Sequence, residues 1–284
     1  MSVAPEATLS TFTASDGANL AVQDWPLPEG LAVRGIVLIT HGLGEHAGRY
    51  DALARRLNGW GFLVRGYDHF GHGDSDGPRG GLGRDLRLVE DLVDVLDSTR
   101  ARFGRELPLV LLGHSLGGLV AAAVVARGLA RVDALVLSSP ALALGLSPVQ
   151  RLLLGTLPRF APELRVGNGL DPRWLSHDAQ VVAAYRADRR VHDRISARLG
   201  RFMDNEGRAV LAAAPRWRTP TLLLYAGADR LVSPAGSEAF AQAAPRGAVT
   251  TRGFPGLFHE IFNEEEARAA PVFAALKAWL EARF

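Results

Sequence analysis

Apolar residues along this chain fall into short unbroken runs separated by amphipathic stretches, and that rhythm predicts its elements. Residues 35–40 and 109–112 are continuous apolar runs, the pattern of strands buried on both faces of a parallel sheet. Residues 62–67, 134–138, 221–225 and 249–254 read as further strands. Helical spacing lies over 50–60, 82–102, 116–128, 233–243 and 264–284. In the second of these, Leu86, Val89, Leu92, Val93 and Leu96 make one apolar face. Ahead of them all, 8–15 and 19–25 flank a Ser15-Asp16-Gly17 turn and predict an antiparallel hairpin. Strands alternating with helices predict right-handed crossovers and an α/β architecture: a mostly parallel eight-stranded sheet with helices on both faces.

The alternation fails between residue 141 and about residue 216, where no strand signal occurs. The stretch opens apolar, with Leu142, Leu144, Leu146, Val149, Leu152, Leu153, Leu154 and Leu157, then turns polar and helical over 175–187 and 195–203. An excursion from the carboxyl edge of such a sheet sits over the ligand crevice. Residues 141–216 are therefore expected to form a helical cap inserted into a core built from 1–140 and 217–284. The cap leucines fit either packing against the core or the wall of an acyl-chain tunnel, with Leu144 and Leu146 as candidate lining. The sequence leaves both open.

Bulk properties remove several classes of function. Of 284 residues 48% are apolar, enough for a large core and too many for a disordered chain. The net charge is +2, Lys277 is the sole lysine, and no basic run interleaves with aromatics, so no nucleic-acid partner is expected. There is no cysteine, which excludes disulfides, a thiol nucleophile and a cysteine metal site. Residues 1–10 lack a basic segment followed by an apolar one, and no apolar stretch is long enough to span a bilayer. A soluble cytoplasmic protein is the expectation.

The chemistry concentrates at Gly113-His114-Ser115-Leu116-Gly117-Gly118, where the apolar run 109–112 enters a helix rich in Ala and Val. A serine between two glycines on a strand-to-helix turn is a nucleophile elbow. The turn is too tight for a Cβ on either side, and the helix N-terminus favours developing negative charge. A serine hydroxyl needs a base, and an imidazole titrates in the right range. His259, in the loop between the last strand and the last helix, is the candidate base. Asp229, after the strand 221–225 and the turn Ala226-Gly227-Ala228, is the candidate for orienting it. Asp133 sits at the wrong end of its strand, while Asp178, Asp188 and Asp204 fall in the cap segment. The oxyanion of a tetrahedral intermediate needs two donors, and the backbone amides of Leu116 and of Leu43, in His41-Gly42-Leu43-Gly44, are the candidates.

At this point the chain resembles the α/β-hydrolase superfamily, and within it the monoacylglycerol lipase and lysophospholipase group. The likeness rests on His41-Gly42-Leu43-Gly44-Glu45-His46 with Gly48-Arg49-Tyr50, and on 68–77 (Asp-His-Phe-Gly-His-Gly-Asp-Ser-Asp-Gly) with Arg79-Gly80. The elbow, Gly227-Ala228-Asp229 with Val232, and His259-Glu260 complete it. In the cap it extends to Leu175-Ser176-His177-Asp178 and Tyr185-Arg186-Ala187-Asp188. The resemblance implies a serine carboxylic-ester hydrolase acting on monoacylglycerol-like lipids through an acyl-enzyme, with no cofactor and no metal. It implies that Glu45, His46, His69 and His72 brace loops, that His114 is a neighbour of the nucleophile and not a second base, and that Tyr185 contacts the alcohol head group. Where the group has Pro-Leu after the aspartate matching Asp188, this chain has Arg189-Arg190, which fits a solvated surface or an anionic head group. A lysophospholipase or a short-chain carboxylesterase is the neighbouring reading, and acyl transfer or a non-catalytic ligand receptor are readings of another class. A cap lip that touches lipid surfaces transiently is a further expectation.

Overall fold

The computed structural model describes residues 5–145 and 148–284. Eight strands make the main sheet: β1 (Thr8–Thr13), β2 (Asn19–Trp25), β3 (Gly35–Thr40), β4 (Phe62–Tyr67), β5 (Leu109–His114), β6 (Ala134–Ser138), β9 (Thr221–Ala226) and β10 (Val249–Phe254). Their spatial order is β1-β2-β4-β3-β5-β6-β9-β10. The β1–β2 and β2–β4 pairs are antiparallel and every other pair is parallel. This is the α/β-hydrolase arrangement, and it agrees with the sheet expected from the sequence.

The continuous apolar runs follow from two-sided burial. In β3, Ile36 and Leu38 join one hydrophobic core, while Val37 and Ile39 join another on the opposite face. In β5, Leu109 and Leu111 face the first core, and Val110 and Leu112 the second. One face is covered by α2 (Arg87–Phe103), α3 (Ser115–Ala126) and α7 (Pro234–Ala243), the other by α1 (Asp51–Gly59) and α8 (Glu266–Glu281). α3 is buried along nearly its whole length, so an Ala and Val composition with no polar face suits it. Truncating a wholly buried residue such as Leu111 to alanine should cost about 2–5 kcal/mol.

Two details depart from the expected elements. The helix expected from residue 82 begins at Arg87, because Gly83 takes a left-handed φ of +71° and the segment before it is a turn with Leu82 buried. The segment between β6 and β9 does contain strands. β7 (Arg165–Gly167) and β8 (Arg194–Ser196) pair antiparallel in a small separate ribbon. Three residues each, all exposed in β7, are too few to show a period of two. Helices α4 (Pro148–Phe160), α5 (Ala179–Ala187) and α6 (Ala197–Ala213), with short 3-10 turns at Pro172–Trp174 and Ala214–Arg216, make up the rest of that segment's regular structure among the described residues, and α6 packs on α3.

Candidate active site

The carboxyl ends of β3, β4, β5, β9 and β10 carry the residues singled out in the sequence. At the end of β5, Ser115 holds φ at +51°, strained for a residue with a side chain. The surrounding glycines show what enforces the turn. A Cβ on Gly113 would stand 2.5 Å from the Gly117 carbonyl oxygen, and one on Gly117 would collide with the Thr40 and His41 carbonyl oxygens. Only a bare backbone lets α3 start so close to β3 and β5.

His259 and Asp229 are bonded to each other. The His259 Nδ1 lies 2.6 Å from Asp229 Oδ2, with both side chains buried. The second Asp229 oxygen accepts the amides of Leu231 at 2.8 Å and Val232 at 3.0 Å, which fixes the carboxylate. Burial works against charge on both partners, but each stabilises the other's ion. The net effect is an imidazole pKa above its ordinary value and a carboxyl pKa below its own. Nδ1–H thus donates to the carboxylate and Nε2 is left to accept a proton. Ser115 and His259 line one cavity of about 510 Å³, although no hydrogen bond joins the serine hydroxyl to the imidazole in this structure. The other aspartates weighed from the sequence do different work. Asp133 accepts the Leu109 amide at the amino edge, Asp178 caps α5, Asp188 holds His46 at 2.8 Å, and Asp204 pairs with Arg208.

The loop after β3 lies against the nucleophile. A Cβ on Gly42 would stand 3.2 Å from Ser115 Cβ, and Leu43 lines the cavity. The Leu43 N–H has no acceptor among the described residues, and Leu116 N–H belongs to the first turn of α3, whose amides lack helical partners. Glu45 holds this loop from behind, accepting the Gly42 amide at 2.6 Å and the Tyr50 hydroxyl at 2.7 Å. Arg49 then bridges Glu45 to Glu260, the residue after His259, meeting Glu260 in a fork at 2.6 and 2.8 Å. Burial opposes ionisation of Glu260, but the guanidinium overrides it and drives the carboxyl well below its usual range.

Several imidazoles are buried and hydrogen-bonded to backbone or side chains of the loops around the site. His41 donates from Nδ1 to the Gly42 carbonyl at 2.7 Å and accepts the His69 amide at Nε2, 2.9 Å away, so it is neutral. Burial pushes the pKa of His69 down to about 4 and that of His41 well below normal. His114 bonds Ser138, and its ring lies tilted against that of His259, with centroids 4.6 Å apart. Burial and that neighbouring imidazole bring its pKa down to about 4, a poor base beside His259.

The remaining candidates are distributed unevenly. Leu144 lines the cavity, and Leu146 lies outside the described residues. Tyr185 is buried under the Arg49 guanidinium, 4.7 Å from its ring centre, and lines an adjoining cavity of about 290 Å³ that shares Asn168 and Leu170 with the first. Arg190 is paired with Asp188 and Arg189 is exposed; neither lines the cavity of Ser115. Residues that the sequence did not reveal include Glu264, whose buried carboxylate accepts the amides of Phe258 and His177 and bonds the His177 ring. Trp174 was also missed: its carbonyl accepts the His259 amide at 3.3 Å. The 174–178 motif therefore clamps the His259 loop.

A family model described as serine aminopeptidase, S33, matches residues 32–266. The chain belongs to that family of α/β hydrolases. It is 39% identical over 239 residues to the monoacylglycerol lipase of Mycolicibacterium smegmatis, a match covering 83% of this chain and 84% of the relative. It is 30% identical to the monoglyceride lipase of Homo sapiens, over 98% of this chain and 92% of that one. Among solved structures, the monoacylglycerol lipase of Paleococcus ferrophilus superposes with a TM-score of 0.80 at 34% identity, covering 98% of this chain and 99% of that one. This protein is thus a serine hydrolase of the monoacylglycerol lipase-like type.

Proposed function

We propose that this hydrolase cleaves monoacylglycerol-like lipid esters to fatty acid and alcohol. Ser115 attacks the ester carbonyl while His259 Nε2 takes the hydroxyl proton. Asp229 holds the imidazole in the right tautomer and stabilises its cation. The amides of Leu43 and Leu116 bind the oxyanion. His259 returns the proton to the departing alcohol, leaving the acyl chain on Ser115. Water, deprotonated by the same imidazole, then releases the acid. The cycle uses only these groups and water.

The observation that carries the substrate class is the cavity. Leu144, Leu153, Leu154, Leu157, Ile195 and Met203 contribute to a long apolar wall beside Ser115 and His259, which suits an acyl chain. Residues 141–216 act in this reading as a cap over the core formed by 1–140 and 217–284. The family description names an aminopeptidase, and an α-ammonium group would call for a carboxylate in the cavity. The described lining contains none. Tyr185, which lines the adjoining cavity, is the candidate wall for the alcohol.

A hydrolysis panel tests the proposal: short nitrophenyl esters, monoacylglycerols of graded length, triacylglycerol and an aminoacyl anilide. Rising kcat/KM with acyl length on monoacylglycerols supports it. Preference for the anilide, or none for acylglycerols, overturns it. Product analysis with added glycerol separates hydrolysis from acyl transfer, and multiple turnovers exclude a receptor.

The rim of the cavity also supports contact with lipid. Leu153, Leu164 and Val166 line the cavity and remain about half exposed, and Leu152 and Phe160 stand out beside them. No helix among the described residues is long and apolar enough to cross a membrane. A cytoplasmic enzyme that docks transiently through this lip is part of the proposal. Phe160→Ser with Leu152→Ser should lower the vesicle-bound fraction in a flotation assay, and an unchanged fraction rejects the docking.

A further inference from the structure

We infer that Arg230 fits this cavity for esters that carry an oxyanion in addition to the ester itself, a lysophospholipid phosphate being the matching group. The inference rests on the reading of the cavity as the substrate site. Arg230 lines the same cavity as Ser115 and His259. The rest of the described lining is apolar or neutral; Gln150, Asn168 and Ser196 are its other polar side chains apart from Ser115 and His259. Arg230 is exposed, so a full positive charge stands on the solvent-facing side of a largely apolar wall, where the geometry of the donor fork, not a low dielectric, favours an oxyanion partner.

No carboxylate pairs with that charge among the described residues. Several arginines of the surrounding segment are neutralised, Arg173 by Asp171, Arg190 by Asp188, Arg198 by Asp85 and Glu163, and Arg208 by Asp204, and those without an ion pair among the described residues, such as Arg159, Arg165, Arg186 and Arg189, do not line the cavity. Arg230 instead lies over the Trp174 ring, 3.8 Å from its centre. Stacking of this kind fixes the guanidinium plane and leaves its edge N–H groups to donate. The platform itself is held. Trp174 packs edge-on against Phe258 at 5.1 Å, and its carbonyl accepts the His259 amide. The backbone of Arg230 lies between Asp229 and Leu231, whose amide bonds the Asp229 carboxylate. A donor fork so placed moves with the frame of the catalytic histidine and is pre-organised for a planar or tetrahedral oxyanion. A neutral monoacylglycerol leaves it without an anionic partner, whereas a phosphate on the glycerol supplies one. The carboxylate of the released fatty acid has the same chemistry and is the competing source.

The test compares 1-oleoyl-lysophosphatidic acid with 1-oleoylglycerol in the wild type, Arg230→Gln and Arg230→Lys, with oleate inhibition measured alongside. The ratio of kcat/KM values, anionic over neutral, should fall about 10- to 100-fold in Arg230→Gln, the usual effect of losing a charged hydrogen-bond partner. Arg230→Lys should recover much of it. A ratio within threefold of wild type overturns the inference. So does an unmoved ratio with weakened oleate inhibition, which assigns the guanidinium to the product. If neither ester turns over, the hydrolytic reading fails by itself. The inference still stands or falls on binding of an ether-linked lysophosphatidic acid analogue to Ser115→Ala, which should weaken by the same factor when Arg230→Gln is added.

Discussion

Replacing Arg49 with methionine removes the guanidinium that ties the loop beside the nucleophile to the loop of the base. Two buried carboxylates, Glu45 and Glu260, lose their counter-charge together. The arginine side chain is only 10% exposed, so solvent screens little of the loss. Breaking a buried pair by deleting one partner costs about 3–5 kcal/mol. For a chain of this length that corresponds to a Tm lower by roughly 5–8 °C. The effect on turnover comes through Glu45, which holds the Gly42 amide and so sets the position of the Leu43 N–H. Loss of a whole oxyanion donor costs about 10²–10³ in kcat. Arg49 acts one step away, so kcat on a soluble nitrophenyl ester should fall by about 10- to 100-fold, with KM less affected. Arg49→Lys keeps the charge but not the fork and should fall between. A methionine variant with kcat within threefold of wild type and Tm within 2 °C would refute the bracing argument.

Three further expectations concern the triad and the elbow. Asp229→Asn should lower kcat by about 10⁴ while leaving the thermal transition nearly in place, and a loss under tenfold would contradict its role. The His259 imidazole must be neutral to accept the proton. Burial lowers its pKa, but Asp229 raises it further, so kcat/KM should drop on the acid side with a midpoint above the ordinary histidine value of 6.5. A midpoint below 6 in the free enzyme contradicts that balance. Gly117→Ala drives a methyl into the Thr40 and His41 carbonyls and should yield protein that is unfolded or inactive; a well-folded, fully active variant would show that the turn tolerates a Cβ.

Much of this was legible because each feature is local in sequence or repeats along it. β3 and β5 read as apolar runs since both faces are buried, and Ser115, Asp229 and His259 each follow a strand in the order that this sheet demands. The β7–β8 ribbon was not legible, since three residues per strand, all exposed in β7, are too few to show a period. The Arg49 fork was hidden for another reason: Glu260 lies 211 positions away, and nothing in either neighbourhood marks the pair. Trp174 and Glu264 hold the His259 loop through contacts across the chain, so composition carried no trace of them. Arg189 and Arg190 drew attention as a departure from the family pattern, yet the cavity cation is Arg230, inconspicuous beside Asp229.

The account depends on Ser115 as the nucleophile that His259 activates. Reaction with an alkyl fluorophosphonate, followed by intact-mass and peptide analysis, measures this directly. One adduct on Ser115, formed in step with loss of esterase activity, absent in Ser115→Ala and slowed by orders of magnitude in His259→Ala, is the expected result. An adduct on another residue, or a Ser115→Ala protein that still hydrolyses esters at the wild-type rate, would contradict it.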